Sequence, residues 1–275
     1  MEKKDFLKIY LDPRISLTNV LKELKLSKSS LYRKVEQWNI PTYRVGIFPA
    51  DNLPPSSPVY WKKFERGDLP AGVAHHLELA VELAFTMECR LETRFHPFSA
   101  IRRKIHAGEL DFGLCDMATL PGWNEEFIFS RPYLFKSLPK GVVCRKRNRP
   151  ILTDRKPILG VVRTSLHQHM AKKLWSEKYR IMPFAYHAEL IRALKEEKVD
   201  LIMDHPSVFD FEKDGMEYIE GPIDYGGRTA IPLAPHNGEL LRQIDQGLEA
   251  LENRGVLHDL ESRYLGDDVY FIDKE

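Results

Sequence analysis

Short apolar runs alternate with amphipathic helical patterns from about residue 43 of this 275-residue chain onward. The apolar runs are YRVGIF, LETRFHPF, DFGLC, ILGVV and VDLIM, and helical patterns span residues 72–85, 99–107, 165–176 and 188–197. Strands that alternate with helices of about 10–15 residues predict parallel sheets joined by right-handed crossovers, and hence an α/β fold. Ligands in such sheets bind beyond the carboxyl ends of the strands, where we look for site residues.

The overall composition is that of an ordinary globular chain. Hydrophobic residues make up 43%, and 41 Lys and Arg nearly balance 40 Asp and Glu. No apolar run approaches the roughly 20 residues of a membrane span, and the N-terminus has no continuous apolar region of the secretory type. Cys89, Cys115 and Cys144 show no C-x-x-C spacing, which argues against a disulfide framework or a zinc site. These features predict a cytoplasmic protein without cofactor, metal or membrane association.

The first 40 residues have a charge and a pattern of their own, with nine basic and five acidic residues. Phe6, Leu7 and Tyr10 share one face of a first helix that ends at Asp12-Pro13. Two further helices are predicted after the N-caps Ser16 and Ser27, with apolar stripes Leu17, Val20, Leu21, Leu24 and Leu31, Val35, Trp38. A short turn between two such helices predicts a helix-turn-helix.

The outer face of the third predicted helix suits DNA. Hydroxyl and amine groups suit base edges, cations suit phosphates, and no acid precedes Glu36 on this helix. The candidate DNA contacts are Lys25, Lys28, Ser29, Ser30, Tyr32, Arg33 and Lys34. Composition alone leaves an alternative open, a helical hairpin that mediates dimerisation or packs on the body with its cations solvated.

The segment VLKELKLSKSSLYRKVEQWNI resembles the Fis-type helix-turn-helix, which runs roughly A-A-x-x-L-G-I-S-R-x-T-L-Y-R-K-L-x-x-Y-G-I. The departures are Leu21 at a usually small position, and Lys25 and Asn39 at the two Gly positions. Lys25 is therefore expected to take an unfavourable turn conformation unless the turn itself differs. The resemblance implies an all-α domain over residues 1–42 that binds double-stranded DNA.

The rest of the chain resembles, motif by motif, the type II periplasmic-binding-protein fold of the family that binds amino acids for ABC transporters. The matching pieces run from YRVGIFPADNLPP through GVAHHLELAVELA, FSAIRRKIHAGELDFGLCDMATLP, FIFSRPYLF, ILGVVRTSLHQ and ELIRALKEEKVDLIMDHPS to YGGRTAIPLAP. The resemblance implies one lobe from residues 43–143 and 226–275, a second lobe from residues 144–225, and a ligand held between them.

The same resemblance suggests ligand contacts. Family members grip the α-carboxylate with an Arg, and a gapless match puts Trp123 at that position, while Asp204 matches the second-lobe carboxylate that holds the α-ammonium. The remaining first-lobe candidates are Phe48, Phe98, Asp116 and Met117. The ordinary alternatives are a helix-capping carboxylate for Asp204 and core packing for the aromatic residues.

An anion site is the other possibility. Ser165 opens a helix directly after a predicted strand, where free backbone N–H groups favour an anion, and Arg163 and Arg131 could supply cations or act only as surface ion-pair partners. With Trp123 in place of Arg, we expect either an amine-bearing ligand with an apolar or aromatic part or an anion held by these arginines. If neither class binds, the body is a dimerisation scaffold.

The sequence therefore predicts a ligand-responsive bacterial transcription regulator that acts as a homodimer. Two alternatives stay open, a cyclohexadienyl-dehydratase-like enzyme and a cytosolic solute-binding protein without a DNA role. No acid/base pair for an enzyme is identifiable from the sequence. His75 and His76 are one residue apart, and His167 and His169 are two residues apart. Neither spacing puts both rings on one helix face, which argues against a metal site.

Overall fold

The computed structural model describes residues 1–49, 57–119, 125–134, 140–145, 156–204, 215–223 and 228–265. Trp123 lies outside these residues, and for Asp204 only the backbone is described. The helices are α1 Lys3–Tyr10, α2 Leu17–Glu23, α3 Lys28–Gln37, α4 Ser57–Arg66, α5 Ala71–Thr86, α6 Phe98–His106, α7 Leu166–Trp175, α8 His187–Lys195, α9 Gly238–Asn253 and α10 Val256–Leu265. The strands are β1 Thr42–Ile47, β2 Arg90–Phe95, β3 Phe112–Leu114, β4 Ile128–Pro132, β5 Lys140–Arg145, β6 Ile158–Val162, β7 Arg180–Phe184, β8 Leu201–Asp204, β9 Met216–Ile223 and β10 Ala230–Leu233.

Two five-stranded sheets confirm the predicted α/β class and the two-lobed body. Their strand orders are β2-β1-β3-β10-β4 and β7-β6-β8-β5-β9. Strand β1 runs parallel to β2 and β3, and β6 runs parallel to β7 and β8. The other pairs, which involve β4, β5, β9 and β10, are antiparallel. We call the first sheet with α4–α6, α9 and α10 lobe one, and the second sheet with α7 and α8 lobe two.

The chain enters lobe two slightly earlier than the sequence indicates. Strand β5 begins at Lys140 and pairs with β8 and β9, whereas the predicted boundary lies after residue 143. The run GVVC is apolar on both sides of that boundary, and an apolar strand pattern does not say which sheet the strand joins. The return to lobe one falls between the end of β9 at Ile223 and the start of β10 at Ala230, which brackets the predicted position.

Each part of the chain has its own apolar packing. Helices α5, α9 and α10 cover the lobe-one sheet, α7 packs on the lobe-two sheet, and a further cluster contains residues of both lobes. The helices α1–α3 enclose a separate small core of Phe6, Tyr10, Leu11, Val20, Leu31 and Ile40. Within the described part of the chain, no helix has the length and apolar character that crossing a bilayer requires.

The helical segment, residues 1–41, shows the predicted caps. The hydroxyl of Ser16 accepts from the N–H of Asn19, and that of Ser27 accepts from Ser30. Lys25 and Asn39 have φ of 51° and 50°, so both residues at the glycine positions of the Fis-type pattern are left-handed. After α2, the N–H of Leu26 donates to Leu21 and that of Lys25 donates to Lys22, at 3.0 and 3.3 Å. This is a Schellman motif, and it confirms the expected strain at Lys25.

Replacing Lys25 by glycine is expected to stabilise the helical segment. A left-handed conformation costs a non-glycine residue about 1–2 kcal/mol. Glycine is also freer in the unfolded chain, and this offsets about 0.5–1 kcal/mol of the relief. We therefore expect the free energy of unfolding to rise by about several tenths to 1 kcal/mol. The melting temperature of the segment, followed by far-UV circular dichroism, measures the gain. The control Lys22→Gly, inside α2, should lose about 1 kcal/mol, and a loss of stability in Lys25→Gly would contradict the assignment of the turn.

Arg90 joins the helical segment to lobe one. It is the first residue of β2, and its side chain is buried beneath the end of α1. Its guanidinium donates to the carbonyl of Tyr10, donates to the carbonyl of Ile15 at 2.9 Å, and lies 5.1 Å from the centroid of the Tyr10 ring. Burial lowers the pKa of the Arg90 guanidinium. The segment is thus attached at the amino end of β2, at the edge opposite the carboxyl ends of the parallel strands.

Candidate functional site

The carboxyl ends of the parallel strands in both lobes face one another. Phe48 follows β1, and its ring centroid lies 5.9 Å from that of His187, which begins α8 after β7. Arg102 of α6 donates to the carbonyl of Thr164, which follows β6, at 3.2 Å. The lobes therefore meet where the fold of parallel strands predicts a ligand.

Aromatic rings line this junction. Phe48 and Phe98 pack edge to face with ring centroids 6.2 Å apart. The ring centroids of His187 and His167 are 6.1 Å apart. Phe48 and Phe98 are buried, and Met117 is completely so. All three predicted residues belong to the apolar cluster that contains residues of both lobes. The structure thus brings them together as an apolar wall between the lobes.

Asp116 is a polar residue of lobe one at the same sheet edge as Phe48, because β3 and β1 are neighbouring strands. It follows β3 by two residues, its φ is 51°, and its side chain is 44% exposed. Oδ1 of Asp116 lies 2.9 Å from Nε2 of His76, and the same nitrogen lies 3.1 Å from the hydroxyl of Tyr133. A carboxylate only accepts hydrogen bonds, so Nε2 carries the proton that it donates to Asp116. His76 and Tyr133 thus hold Asp116 from behind.

Burial raises or lowers the pKa of two side chains near Asp116, those of Tyr133 and His75. His76 and Tyr133 are 2% and 0% exposed, and Nδ1 of His76 has no hydrogen-bond partner in the described part of the chain. Burial, reinforced by the negative charge of Asp116, raises the pKa of Tyr133 well above its ordinary value. On the same helix, burial and the neighbouring His76 lower the pKa of His75 to about 3.

The two arginines of the predicted anion site lie apart. Arg131 points to α9, where its side chain pairs with Glu252 and, at 3.7 Å, with Glu249, and its N–H donates to Asp245 at 2.7 Å. These contacts are of the surface ion-pair type that the sequence left open. Arg163 remains next to Ser165 with an exposed side chain. Arg102, which the sequence did not single out, contacts both lobes, because it donates to Thr164 of lobe two and pairs with Glu126 of lobe one at 2.6 Å.

Ser165 is the N-cap of α7, as predicted. Its hydroxyl accepts from the N–H of Gln168 at 3.3 Å and donates to the carbonyl of Val162 at 2.7 Å. The N–H of Thr164 donates to the side chain of Gln168 at 2.7 Å. Several groups that would bind an anion at this helix end are therefore already occupied within the chain.

The outer face of α3 is open to solvent. Lys25, Lys28, Ser29, Tyr32 and Arg33 are exposed, whereas Ser30 and Lys34 are half-buried. Nζ of Lys34 lies 4.7 Å from the Trp38 ring, and Nζ of Lys28 lies 5.9 Å from the Tyr32 ring. Leu31 is buried beneath them, with Val35 and Trp38 half-buried against the same core. The cations thus lie away from the body of the protein.

His76, Tyr133, Arg102 and Arg90 are the residues that sequence reasoning missed. A signal was present for His76, because a histidine within the apolar helix α5 needs a buried polar partner. Nothing in the sequence names that partner, since Asp116 is 40 residues away.

Two sheets whose parallel strand ends meet across an apolar junction define a two-lobed α/β binding protein. Residues 63–267 match the bacterial extracellular solute-binding proteins, family 3, and the chain belongs to that family. No curated protein matches the chain in sequence.

Three solved structures illustrate the fold. An ancestral arginine-binding protein bound to glutamine is 22% identical with a TM-score of 0.66, over 82% of this chain and 98% of that chain. A Silicibacter pomeroyi periplasmic His/Glu/Gln/Arg/opine family-binding protein in complex with lysine is 16% identical with a TM-score of 0.67, over 84% of this chain and 100% of that one. The ancestral amino acid-binding protein AncCDT-1, a precursor of cyclohexadienyl dehydratase, is 16% identical with a TM-score of 0.63, over 84% of this chain and 97% of that one. At these identities the likeness shows the fold.

Proposed function

We propose that this chain is a cytoplasmic bacterial transcription regulator whose two-lobed body senses a small molecule. The observation that carries the proposal is the exposed cationic face of α3, with Lys28 and Arg33 in solvent above the buried Leu31. In this proposal α2 and α3 form a helix-turn-helix and α3 enters the major groove, where cations bind phosphates and Tyr32 reaches the bases. The left-handed Lys25 and Asn39, at the glycine positions of the Fis-type pattern, support this assignment.

The attachment of the helical segment supports a route from ligand to DNA. Arg90 ties the segment to lobe one, so the segment moves with that lobe. Closure of lobe two on a ligand then changes the surface that lobe one offers to a second copy of the chain. In a homodimer this alters the separation of the two recognition helices, and with it the fit to two half-sites.

The test measures DNA affinity against salt. Duplexes selected by the protein from a randomised pool are labelled, and binding is followed by fluorescence anisotropy between 50 and 300 mM KCl, a range on the order of that in which phosphate contacts are lost. We expect a steep fall of affinity with salt. Arg33→Ala and Lys28→Ala should each weaken binding and reduce the slope of the logarithmic plot by about one.

A matched control distinguishes DNA binding by this face of α3 from attraction to any exposed positive charge. Lys173 is an exposed cation on α7 of lobe two, and Lys173→Ala should leave both affinity and salt slope unchanged. Equal losses in Lys173→Ala and Arg33→Ala, or no enrichment of any duplex, would contradict the DNA-binding role and leave a solute-binding protein.

A second candidate function rests on the contact between Asp116 and His76. This pair is the carboxylate and imidazole combination that acid/base chemistry needs, with Asp116 exposed at the junction of the lobes. A dehydratase acting on a cyclohexadienyl compound would produce an aromatic ring, so ultraviolet absorbance of the product detects it. Turnover that Asp116→Asn abolishes would favour the enzyme over the regulator.

A further inference from the structure

We propose that the junction of the lobes takes an organic cation, an amine or a guanidinium, with Asp116 as its acceptor and His76 as the positioning residue of that carboxylate. The inference rests on the ligand-sensing part of the proposed function, and it names the ligand class. The contact of His76 with Asp116 at 2.9 Å and the exposure of the carboxylate carry it.

The backbone at Asp116 is held in a left-handed conformation. Its φ of 51° lies in a region that is rarely occupied by residues other than Gly, Asn and Asp. Aspartate takes this conformation at little cost, and the surrounding structure keeps its carboxylate in place. Here the surrounding structure is His76 and Tyr133, two almost completely buried side chains that hydrogen-bond at one point.

Of the two side chains in this contact, only Asp116 is open to a ligand. His76 is 2% exposed and its donor nitrogen points to Oδ1, so it cannot itself touch a ligand. The carboxylate of Asp116 is 44% exposed and follows β3, whose neighbouring strand β1 leads into Phe48. A half-exposed carboxylate that a buried side chain holds in place suits an organic cation as its further partner.

Two of the groups that the sequence offers for a ligand carboxylate already have partners within the chain. Arg131 pairs with the acidic side chains of α9, and the hydroxyl of Ser165 caps its own helix. An α-amino acid would therefore bring a negative charge close to Asp116, with the exposed Arg163 after β6 as the remaining predicted partner for it. An amine without that carboxylate avoids the repulsion.

Calorimetry with matched pairs tests the inference on the full chain. The probes are agmatine against arginine, tyramine against tyrosine, and phenethylamine against phenylalanine, because the members of each pair differ only in the α-carboxylate. We expect the amine of at least one pair to bind at least tenfold more tightly than its amino acid. Asp116→Asn should weaken that amine at least tenfold, and asparagine tolerates the left-handed backbone, so the fold is kept.

Two variants of His76 distinguish positioning from mere packing. His76→Gln retains a donor and should keep the affinity within a few-fold of the wild type, whereas His76→Leu should lose most of it at an unchanged melting temperature. Asp68→Asn, an exposed carboxylate of lobe one between α4 and α5, is the matched control and should change nothing.

The outcomes are separable from the DNA-binding proposal. Amino acids that bind as tightly as their amines, affinity that survives Asp116→Asn, equal losses in both His76 variants, or no binding of any probe would each overturn the inference. Anisotropy with DNA is measured on the same preparations without ligand. If no DNA binding is measured, the regulator proposal is contradicted and the cation-site inference is unaffected.

Discussion

Replacing Arg90 by methionine is expected to release the helical segment from lobe one. The substitution retains an unbranched apolar stem and removes the donors to the carbonyls of Tyr10 and Ile15. Hydrogen bonds from a charged group each stabilise a protein by about 1.5–3 kcal/mol. Removing the buried guanidinium also removes its desolvation penalty, which offsets part of that loss. We therefore expect the docking of the segment to weaken by about 2–4 kcal/mol. Hydrogen exchange at the amides of α1 should accelerate by at least tenfold.

Arg94→Met is the matched control for this change. Arg94 lies on the same strand as Arg90, but its side chain is 47% exposed and its ion pair with Glu92 spans 3.6 Å. Exposed pairs of this kind contribute little, so exchange in α1 should stay as in the wild type. If the regulator proposal holds, Arg90→Met should still bind DNA and lose the effect of ligand on that binding. Unchanged exchange in Arg90→Met would show that the segment is docked by other contacts.

The buried His75 is expected to make the protein acid-labile. Its pKa is about 3 in the folded chain against an ordinary value of 6.5, chiefly because burial penalises the charged ring. Below pH 6.5 the unfolded chain binds a proton that the folded chain excludes, so the free energy of unfolding falls as the pH falls toward 3. One such proton contributes about 1.4 kcal/mol per pH unit. Between pH 6 and pH 4 the loss from this residue is thus on the order of 2–3 kcal/mol.

The difference between wild type and His75→Leu isolates this contribution, because other groups titrate in both proteins. Between pH 6 and pH 4 the melting temperature of His75→Leu should fall less than that of the wild type. The two curves of melting temperature against pH should therefore diverge steadily. His106→Leu removes an exposed ring from α6 and should track the wild type throughout. Parallel curves for wild type and His75→Leu would mean that His75 is not kept uncharged by burial.

Local pattern was sufficient for much of the fold. The apolar runs predicted β1, β2, β3, β6 and β8, and the helical patterns at residues 72–85 and 165–176 correspond to α5 and α7. Ser16, Ser27 and Ser165 cap helices as predicted, because an N-cap depends on residues within one turn. The left-handed Lys25 was also expected, because the Fis-type pattern that the segment resembles has a glycine at this position.

The site was predicted less completely. Phe48, Phe98, Asp116 and Met117 lie at the junction of the lobes because the ends of parallel strands share one edge. Arg131 illustrates the limit, because its neighbours along the chain do not reveal that Glu249 and Glu252 of α9 lie beside it. An ion pair across more than a hundred residues depends on how helix and sheet pack, which no local pattern contains.

The sequence by itself determined much of the secondary structure, the α/β class and the cationic face of α3, since these depend on periodicity and caps within a few residues. The two-lobed body was expected from the resemblance to a known family. Only the tertiary structure decided that His76 holds Asp116, that Arg131 belongs to α9 and that Arg90 docks the helical segment. Each of these is a polar group removed from water, and such a group takes whichever partner the packed chain brings within about 3 Å of it. Which partner that is depends on the packing of elements far apart in sequence.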